Sequence, residues 1–149
     1  MTSSAKGTFD VNLIPQPADD PPAGPFGRYR IDKHYHGDLD GPSQGQMLGA
    51  GTAVEGSRAY VALEQVTGTL GGRRGTFMLQ HHGTMSKGNA TMTVTVVPDS
   101  GTGDLVGLSG TLTIVFEGRQ HSYELAYTLP DCRGQTGVAP GSDPGATPV

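Results

Sequence analysis

Three residues of proton-transferring types fall on the apolar faces of three alternating segments. Each shares its face with aromatic and aliphatic residues. Lys33 lies on the face of Tyr29, Ile31 and Tyr35; Glu64 lies on the face of Tyr60, Ala62 and Val66; and His81 lies on the face of Phe77 and Leu79. Because successive residues of a strand point to opposite faces, each of the three is expected inside. A buried lysine needs a carboxylate partner or a lowered pKa, and Glu64 is the natural candidate.

A glutamate, a histidine and a lysine in one cavity would supply proton donors and acceptors suited to isomerisation or cyclisation. Glu64, His81 and Lys33 are therefore the predicted catalytic residues, and no cofactor is predicted. The structural alternative is a buried Lys33–Glu64 pair beside a hydrogen-bonded core histidine. Aromatic walls suit an apolar ligand but also fill an empty barrel; the predicted ligand-lining residues are Tyr35, Tyr60, Phe77, Tyr123 and Tyr127.

His34 and His36 are two apart and share the opposite face of their strand, where a nearby carboxylate would complete a metal site. Asp38 lies on that face if the strand continues, and Asp40 follows. The pattern is loosely similar to the first cupin motif, but its glycine spacing differs and no second motif follows. The alternative is an exposed polar face without a metal, so these histidines are weak metal candidates.

The elements that must position these residues are strands joined by Gly-rich turns. The predicted strands begin near Gly7 and then cover 28–37, 43–54, 58–69, 73–85, 91–97, 105–117 and 120–129. Residues 15–25 form a Pro-rich loop, because proline is excluded from central strands. Gly71-Gly72 is a hairpin dipeptide, and no segment has the pattern of a helix.

Eight sequential strands with short connections predict one all-β domain, an antiparallel up-and-down barrel of the calycin-like kind. The open two-sheet sandwich is the alternative. A closed barrel of this size encloses packed side chains or one small ligand. We expect the barrel over residues 7–129, a flexible N-terminus at 1–6 and a disordered tail at 130–149, where Gly, Pro, Ser and Thr dominate.

Composition limits the classes of partner. The net charge of −4 gives no basic surface for nucleic acid or for an anionic membrane. No segment approaches the roughly 18 apolar residues of a membrane span, and the first residues lack the apolar stretch of a signal peptide, so a cytoplasmic protein is expected. Cys132 is the single cysteine, which excludes an internal disulfide.

Four stretches resemble a family of small bacterial proteins of unknown function. They are Ile31-Asp-Lys-His-Tyr-His-Gly-Asp-Leu39, Tyr60-Val-Ala-Leu-Glu-Gln-Val-Thr-Gly-Thr-Leu70, Phe77-Met-Leu-Gln-His81 and Val96-Val-Pro-Asp-Ser-Gly-Thr-Gly-Asp-Leu-Val-Gly-Leu-Ser-Gly110. The resemblance implies an allene-oxide-cyclase-like barrel, and it implies no established activity. A transfer of activity from allene oxide cyclases would rest on fold analogy alone.

Three hypotheses follow. The first is a barrel that binds a small, largely apolar ligand and catalyses its cofactor-free cyclisation or isomerisation. The second is a non-enzymatic carrier or a homo-oligomeric assembly module, with Val61 and Leu63 as part of an outer apolar patch. The third is a cupin-like metal-binding protein that uses His34 and His36.

Overall fold

Eight long strands follow one another along the chain, and each reflects the alternation of apolar and polar residues. The computed structural model describes residues 2–18, 20–21 and 24–130. The strands are β1 (Ser3–Pro15), β2 (Phe26–Gly37), β3 (Leu39–Gly51), β4 (Arg58–Leu70), β5 (Arg73–Ser86), β6 (Asn89–Val96), β7 (Ser109–Glu117) and β8 (Gln120–Thr128). A short 3-10 helix, Gly103–Leu105, precedes β7. No helix in these described ranges has the length and apolarity to cross a membrane.

The strands close into a barrel. Each strand pairs antiparallel with the next one, and β8 returns to pair with β1 through Ala5 and Leu125. The predicted all-β, eight-stranded, antiparallel up-and-down barrel is confirmed, and the two-sheet sandwich is excluded. Gly71 and Gly72 form the predicted hairpin turn, and their φ angles of 56° and 86° lie in the region that glycine adopts without steric cost.

Several strand ends differ from the expected ones. Residues 3–6, expected in a flexible N-terminus, belong to β1, because Ser3 to Lys6 pair with Tyr127 to Glu124 of β8. β3 begins at Leu39 instead of 43, and β7 begins at Ser109 because Leu105 belongs to the 3-10 helix. Of the expected tail, only Pro130 is described; 131–149, with Cys132, lie outside the described residues.

One end of the barrel is packed shut. Leu39, Leu70 and Leu105 are fully buried there, next to the β2–β3 and β4–β5 turns. The Tyr123 hydroxyl accepts a hydrogen bond from the Leu39 amide at 2.9 Å and lies 3.1 Å from the His36 carbonyl oxygen, to which it donates. Among the described residues, side chains therefore fill this end of the barrel.

The outer face of β3 and β4 carries apolar side chains. Leu48 and Val61 are cross-strand partners, and Leu63 follows on the same face of β4. Val61 is 53% exposed and Leu63 is 56% exposed. These residues lie outward, as the second hypothesis requires, and the homo-oligomer stays a prediction.

Candidate functional site

The end of the barrel opposite the packed core contains a cavity of about 670 Å³. Its wall is mostly apolar and includes Phe9, Val11, Ile31, Met47, Ala62 and Ile114. Phe26 and Phe116 line its mouth and are 57% and 60% exposed. Apolar walls with a few polar groups are typical of small-molecule sites.

Small residues on the inner face provide this space. Gly49 of β3, Ala62 of β4 and Gly83 of β5 all line the cavity. A Cβ atom at Gly83 would come within 2.5 Å of the Tyr60 ring, so the ring lies against the strand where a larger side chain would displace it. The cavity therefore depends on these small residues, which leave its space open, as well as on the apolar residues of its wall.

A cluster of polar side chains forms the floor of the cavity, and we call it the floor network: Lys33, Tyr35, Ser43, Glu64 and His81. Oε1 of Glu64 accepts from Lys33 Nζ at 2.9 Å and lies 2.5 Å from His81 Nε2. Oε2 accepts from the Tyr35 hydroxyl at 3.0 Å and from the Ser43 hydroxyl. No buried side-chain nitrogen or oxygen of the described residues lacks a partner. The carboxylate is thus fully satisfied despite its burial.

Strand register sets the order of these groups along the barrel. His81 lies opposite Ala62, and Glu64 lies opposite Leu79, so His81 is one inward position closer to the mouth than Glu64. On its other side Glu64 pairs with Gly45, where a Cβ atom would come within 2.7 Å of the Glu64 Cα. The glycine lets β3 approach β4 closely at this point. The register places the carboxylate below the histidine, and Glu64 is not among the residues that line the cavity.

Burial and charge fix the protonation of the carboxylate. Burial alone would raise the pKa of Glu64, but the hydrogen bond with His81 and the charge of Lys33 lower it from 4.5 to about 2. Burial, together with the negative charge of Glu64, raises the pKa of Tyr35 well above 10 and also raises the pKa of Tyr60. At neutral pH the network therefore contains an ionised carboxylate and a neutral Tyr35, and Tyr60 on the cavity wall is neutral as well.

The ionised carboxylate also fixes the histidine. Glu64 can only accept, so Nε2 of His81 must donate to it. In the neutral ring this leaves Nδ1 with its lone pair, and the one hydrogen bond of His81 among the described residues is the bond at Nε2. His81 lines the cavity, as does Lys33, whose Nζ lies 4.7 Å from the centre of the Phe9 ring. A cavity occupant would meet a basic nitrogen and an ammonium group.

The structure brings Lys33, Glu64 and His81 together, as the alternation predicted. Of the expected ligand-lining residues, Tyr60 lies on the cavity wall, whereas Tyr35 lies in the floor network below it. Phe77 and Tyr123 lie in the packed core, and Tyr127 packs against that core. All of them face inward, but alternation does not tell which end of a strand lies next to the cavity.

Two contributors escaped the sequence analysis. Ser43 donates to Glu64, and Phe9 contacts the ammonium group of Lys33 and stacks on His121 with ring centres 5.2 Å apart. Ser43 alternates with Gly45 and Met47 on β3, a signal that places its side chain inside. His121 shares its face of β8 with Tyr123 and Leu125, so the same alternation places its side chain inside.

His34 and His36 lie on the outer face of β2, both about half exposed. One potential ligand atom each from His34, His36 and Asp40 lies within 4.8 Å of the other two. Nε2 of His36 also lies 2.9 Å from Oδ2 of Asp10. Asp38 is occupied elsewhere, since it accepts a hydrogen bond from the Lys6 amide at 2.9 Å.

A family model and a solved structure both match the chain over nearly all of the barrel. A family model described as "Protein of unknown function (DUF3224)" matches residues 5–127. The chain is also similar to a protein with unknown function from that family, from Shewanella oneidensis MR-1, whose crystal structure has been solved. The two sequences are 45% identical, the match covers 88% of this chain and 99% of the Shewanella chain, and the TM-score is 0.82. No curated protein matches. The resemblance to a family of unknown function is confirmed, and the closer comparison with allene oxide cyclases stays a prediction.

Proposed function

The chain belongs to the DUF3224 family, and we propose that it binds a small, largely apolar molecule in the barrel cavity and catalyses its cofactor-free isomerisation or cyclisation. The observation that carries this proposal is the combination of an apolar cavity of about 670 Å³ with Lys33 and His81 at its floor. Such a site holds an apolar body and orients it through one polar group.

The cavity supports the binding part of the proposal. Its volume falls within the roughly 300–1,000 Å³ of small-molecule pockets. The exposed rings of Phe26 and Phe116 at the mouth present apolar surface to water and contribute little to the core, as expected for an apolar entrance. A ligand would cover them in part when it enters.

The floor network supports the chemical part. The ammonium group of Lys33 donates two hydrogen bonds, to Glu64 and to the Tyr35 hydroxyl at 3.3 Å, so its third N–H remains for a ligand. His81 bonds Glu64 through Nε2, so its Nδ1 remains for a ligand as well. These groups would donate to, and accept from, a single polar group on the ligand. Two polar contacts at the closed end of an apolar cavity fix an orientation, which proton transfer requires.

Replacing Ala62 by phenylalanine should block the cavity. The added ring projects from the cavity wall one inward position above Glu64, so we expect the neutral fluorescent probe N-phenyl-1-naphthylamine to bind the natural protein saturably and the Ala62→Phe variant at least about tenfold more weakly. Fluorescence titration measures both affinities. Val61→Phe is the matched control, since Val61 is the neighbouring residue on the outer face. Absence of saturable binding, or equal affinities in Ala62→Phe and Val61→Phe, would contradict the proposal.

The outer histidine cluster favours a second candidate function, the binding of a transition metal ion. His34, His36 and Asp40 offer two imidazoles and one carboxylate from neighbouring strands, and the carboxylate of Asp10 beside His36 is a potential fourth ligand. Imidazole and carboxylate ligands in this number suit Zn²⁺. This site lies on the outside of the barrel and is independent of the cavity.

Zinc binding tests this second function. We expect one Zn²⁺ per chain by isothermal titration calorimetry with zinc chloride, and a loss of at least about tenfold in affinity when His34→Ala and His36→Ala are combined. His82→Ala is the control, because His82 is also exposed on an outer strand face but lies outside the cluster. Equal zinc affinity in the double variant and in His82→Ala would remove the candidate.

A further inference from the structure

We infer that His81 is the general base, and Lys33 the electrostatic stabiliser, of a proton shift within an enolisable carbonyl compound. The inference rests on the proposed function and names its substrate class: apolar ketones or aldehydes, with the β,γ-unsaturated ones converted to their conjugated isomers. It follows from the juxtaposition of a carboxylate-bound imidazole and an ammonium group at the floor of an apolar cavity.

Glu64 and His81 form the base. The 2.5 Å separation of Oε1 and Nε2 holds the ring in one tautomer and stabilises the imidazolium that forms when the ring accepts a proton. Because Nε2 is occupied, Nδ1 is the nitrogen left to a cavity occupant. The remaining hydrogen bonds of Glu64, from Tyr35 and Ser43, keep the carboxylate in place during the reaction.

Lys33 provides the positive charge for the oxygen. Its Nζ and Nε2 of His81 both donate a hydrogen bond to Oε1 of Glu64, so the ammonium group and the imidazole ring are neighbours. A carbonyl oxygen and its α-carbon are likewise close neighbours in a substrate. One enolisable group can therefore place its oxygen toward Lys33 and its α-hydrogen toward His81.

The step balances in atoms and charge. Nδ1 of His81 removes a proton from the α-carbon, the C–H electron pair forms a carbon–carbon double bond, and the carbonyl π pair moves to oxygen. The oxygen electron pair then re-forms the carbonyl, the enolate double bond shifts to the α- and β-carbons, and the electron pair of the original β,γ double bond takes the proton from the imidazolium at the γ-carbon. The double bond has moved and no electron has been gained or lost. In the intermediate, the cations Lys33 and His81 balance the anions Glu64 and the dienolate, so the apolar cavity contains no uncompensated charge.

The composition of the lining favours proton transfer over acyl transfer. Among the described residues, no serine or cysteine side chain lines the cavity. Ser43 donates to Glu64 beneath the floor, and Tyr60, which does line the wall, is held neutral by its raised pKa. The cavity thus presents a base and a cation without a serine or cysteine nucleophile.

Hydrogen–deuterium exchange of a bound ketone tests the inference. The probe is 2-decanone in D₂O, with exchange at its α-carbons followed by proton NMR and its binding measured by displacement of N-phenyl-1-naphthylamine. We expect the natural protein to accelerate exchange above buffer and His81→Gln to reduce the acceleration about 100-fold with binding retained. Val61→Phe, on the outer face, should exchange at the natural rate.

The outcomes separate the inference from the proposed function. If the natural protein binds neither 2-decanone nor the fluorescent probe, the proposed function fails. If it binds the ketone without accelerating exchange, or if His81→Gln exchanges at the natural rate, the inference is overturned. Ala62→Phe replaces no residue of the floor network and covers the case in which His81→Gln does not fold. Its exchange should fall with its binding, and undiminished exchange without binding would also overturn the inference.

Discussion

Replacing Glu64 by glutamine is expected to lower the free energy of unfolding by about 3–5 kcal/mol, because it leaves the buried ammonium of Lys33 without an anion. Both side chains of this pair are nearly inaccessible, at 5% exposure for Lys33 and 0% for Glu64. The substitution preserves the size of the side chain, so the loss reports the charge and not a cavity. Urea denaturation of both proteins at neutral pH measures the difference.

A matched double variant assigns the loss to the pair. Lys33→Met removes the ammonium, so Lys33→Met combined with Glu64→Gln should be more stable than Glu64→Gln alone. A charged pair in water would show little such coupling, because exposed ion pairs contribute only about 0–1 kcal/mol. A Glu64→Gln protein as stable as the natural one, or no recovery in the double variant, would contradict the structure of the floor network.

The lowered pKa of Glu64 predicts that the protein loses stability in acid. The pKa of this carboxylate is lowered in the folded protein from 4.5 to about 2, so the unfolded chain takes up this proton at higher pH than the folded one. The contribution is complete above about pH 4.5 and is lost as the pH falls toward 2, and it amounts to about 3 kcal/mol. The stability difference between the natural protein and Glu64→Gln should therefore shrink over this range; a difference that stays constant would contradict the lowered pKa.

The inward faces could be predicted because the side-chain period of a strand is two. Lys33, Glu64 and His81 each share a face with apolar residues, and burial of that face placed all three inside before their partners were known. The strand ends were harder. Residues 3–6 carry no apolar alternation, and their place in β1 comes from pairing with β8, a contact between the first and last strands of the barrel.

Position along the barrel axis could not be predicted. Tyr60 and Tyr123 both face inward, yet Tyr60 lines the cavity while the Tyr123 hydroxyl binds the backbone at the packed end. That difference depends on the stagger between neighbouring strands, which alternation leaves undetermined. The cavity itself arises where Gly49 and Gly83 face in, and glycines in a strand have several structural uses that sequence does not distinguish.

Replacing Gly45 by alanine is expected to cost about 3 kcal/mol or more, since the new methyl group has nowhere to go. It would come within 2.7 Å of the Glu64 Cα and closer still to the Leu63 carbonyl oxygen. These are backbone atoms of β4, so relief requires β3 and β4 to separate at the carboxylate. Urea denaturation measures the loss, and the fluorescent probe should also bind more weakly because the floor moves.

Gly49→Ala is the matched control on the same inward face of β3. The nearest atom to a methyl group there is the Ala59 carbonyl oxygen at 3.7 Å, an ordinary contact. Alanine should therefore be neutral or stabilise by about 0.4–1 kcal/mol through the lower entropy of the unfolded chain. Equal losses at both positions would mean that β3 needs glycine for its conformation. A loss at Gly45 alone would show that β3 needs glycine there for the close approach of β4 beside Glu64.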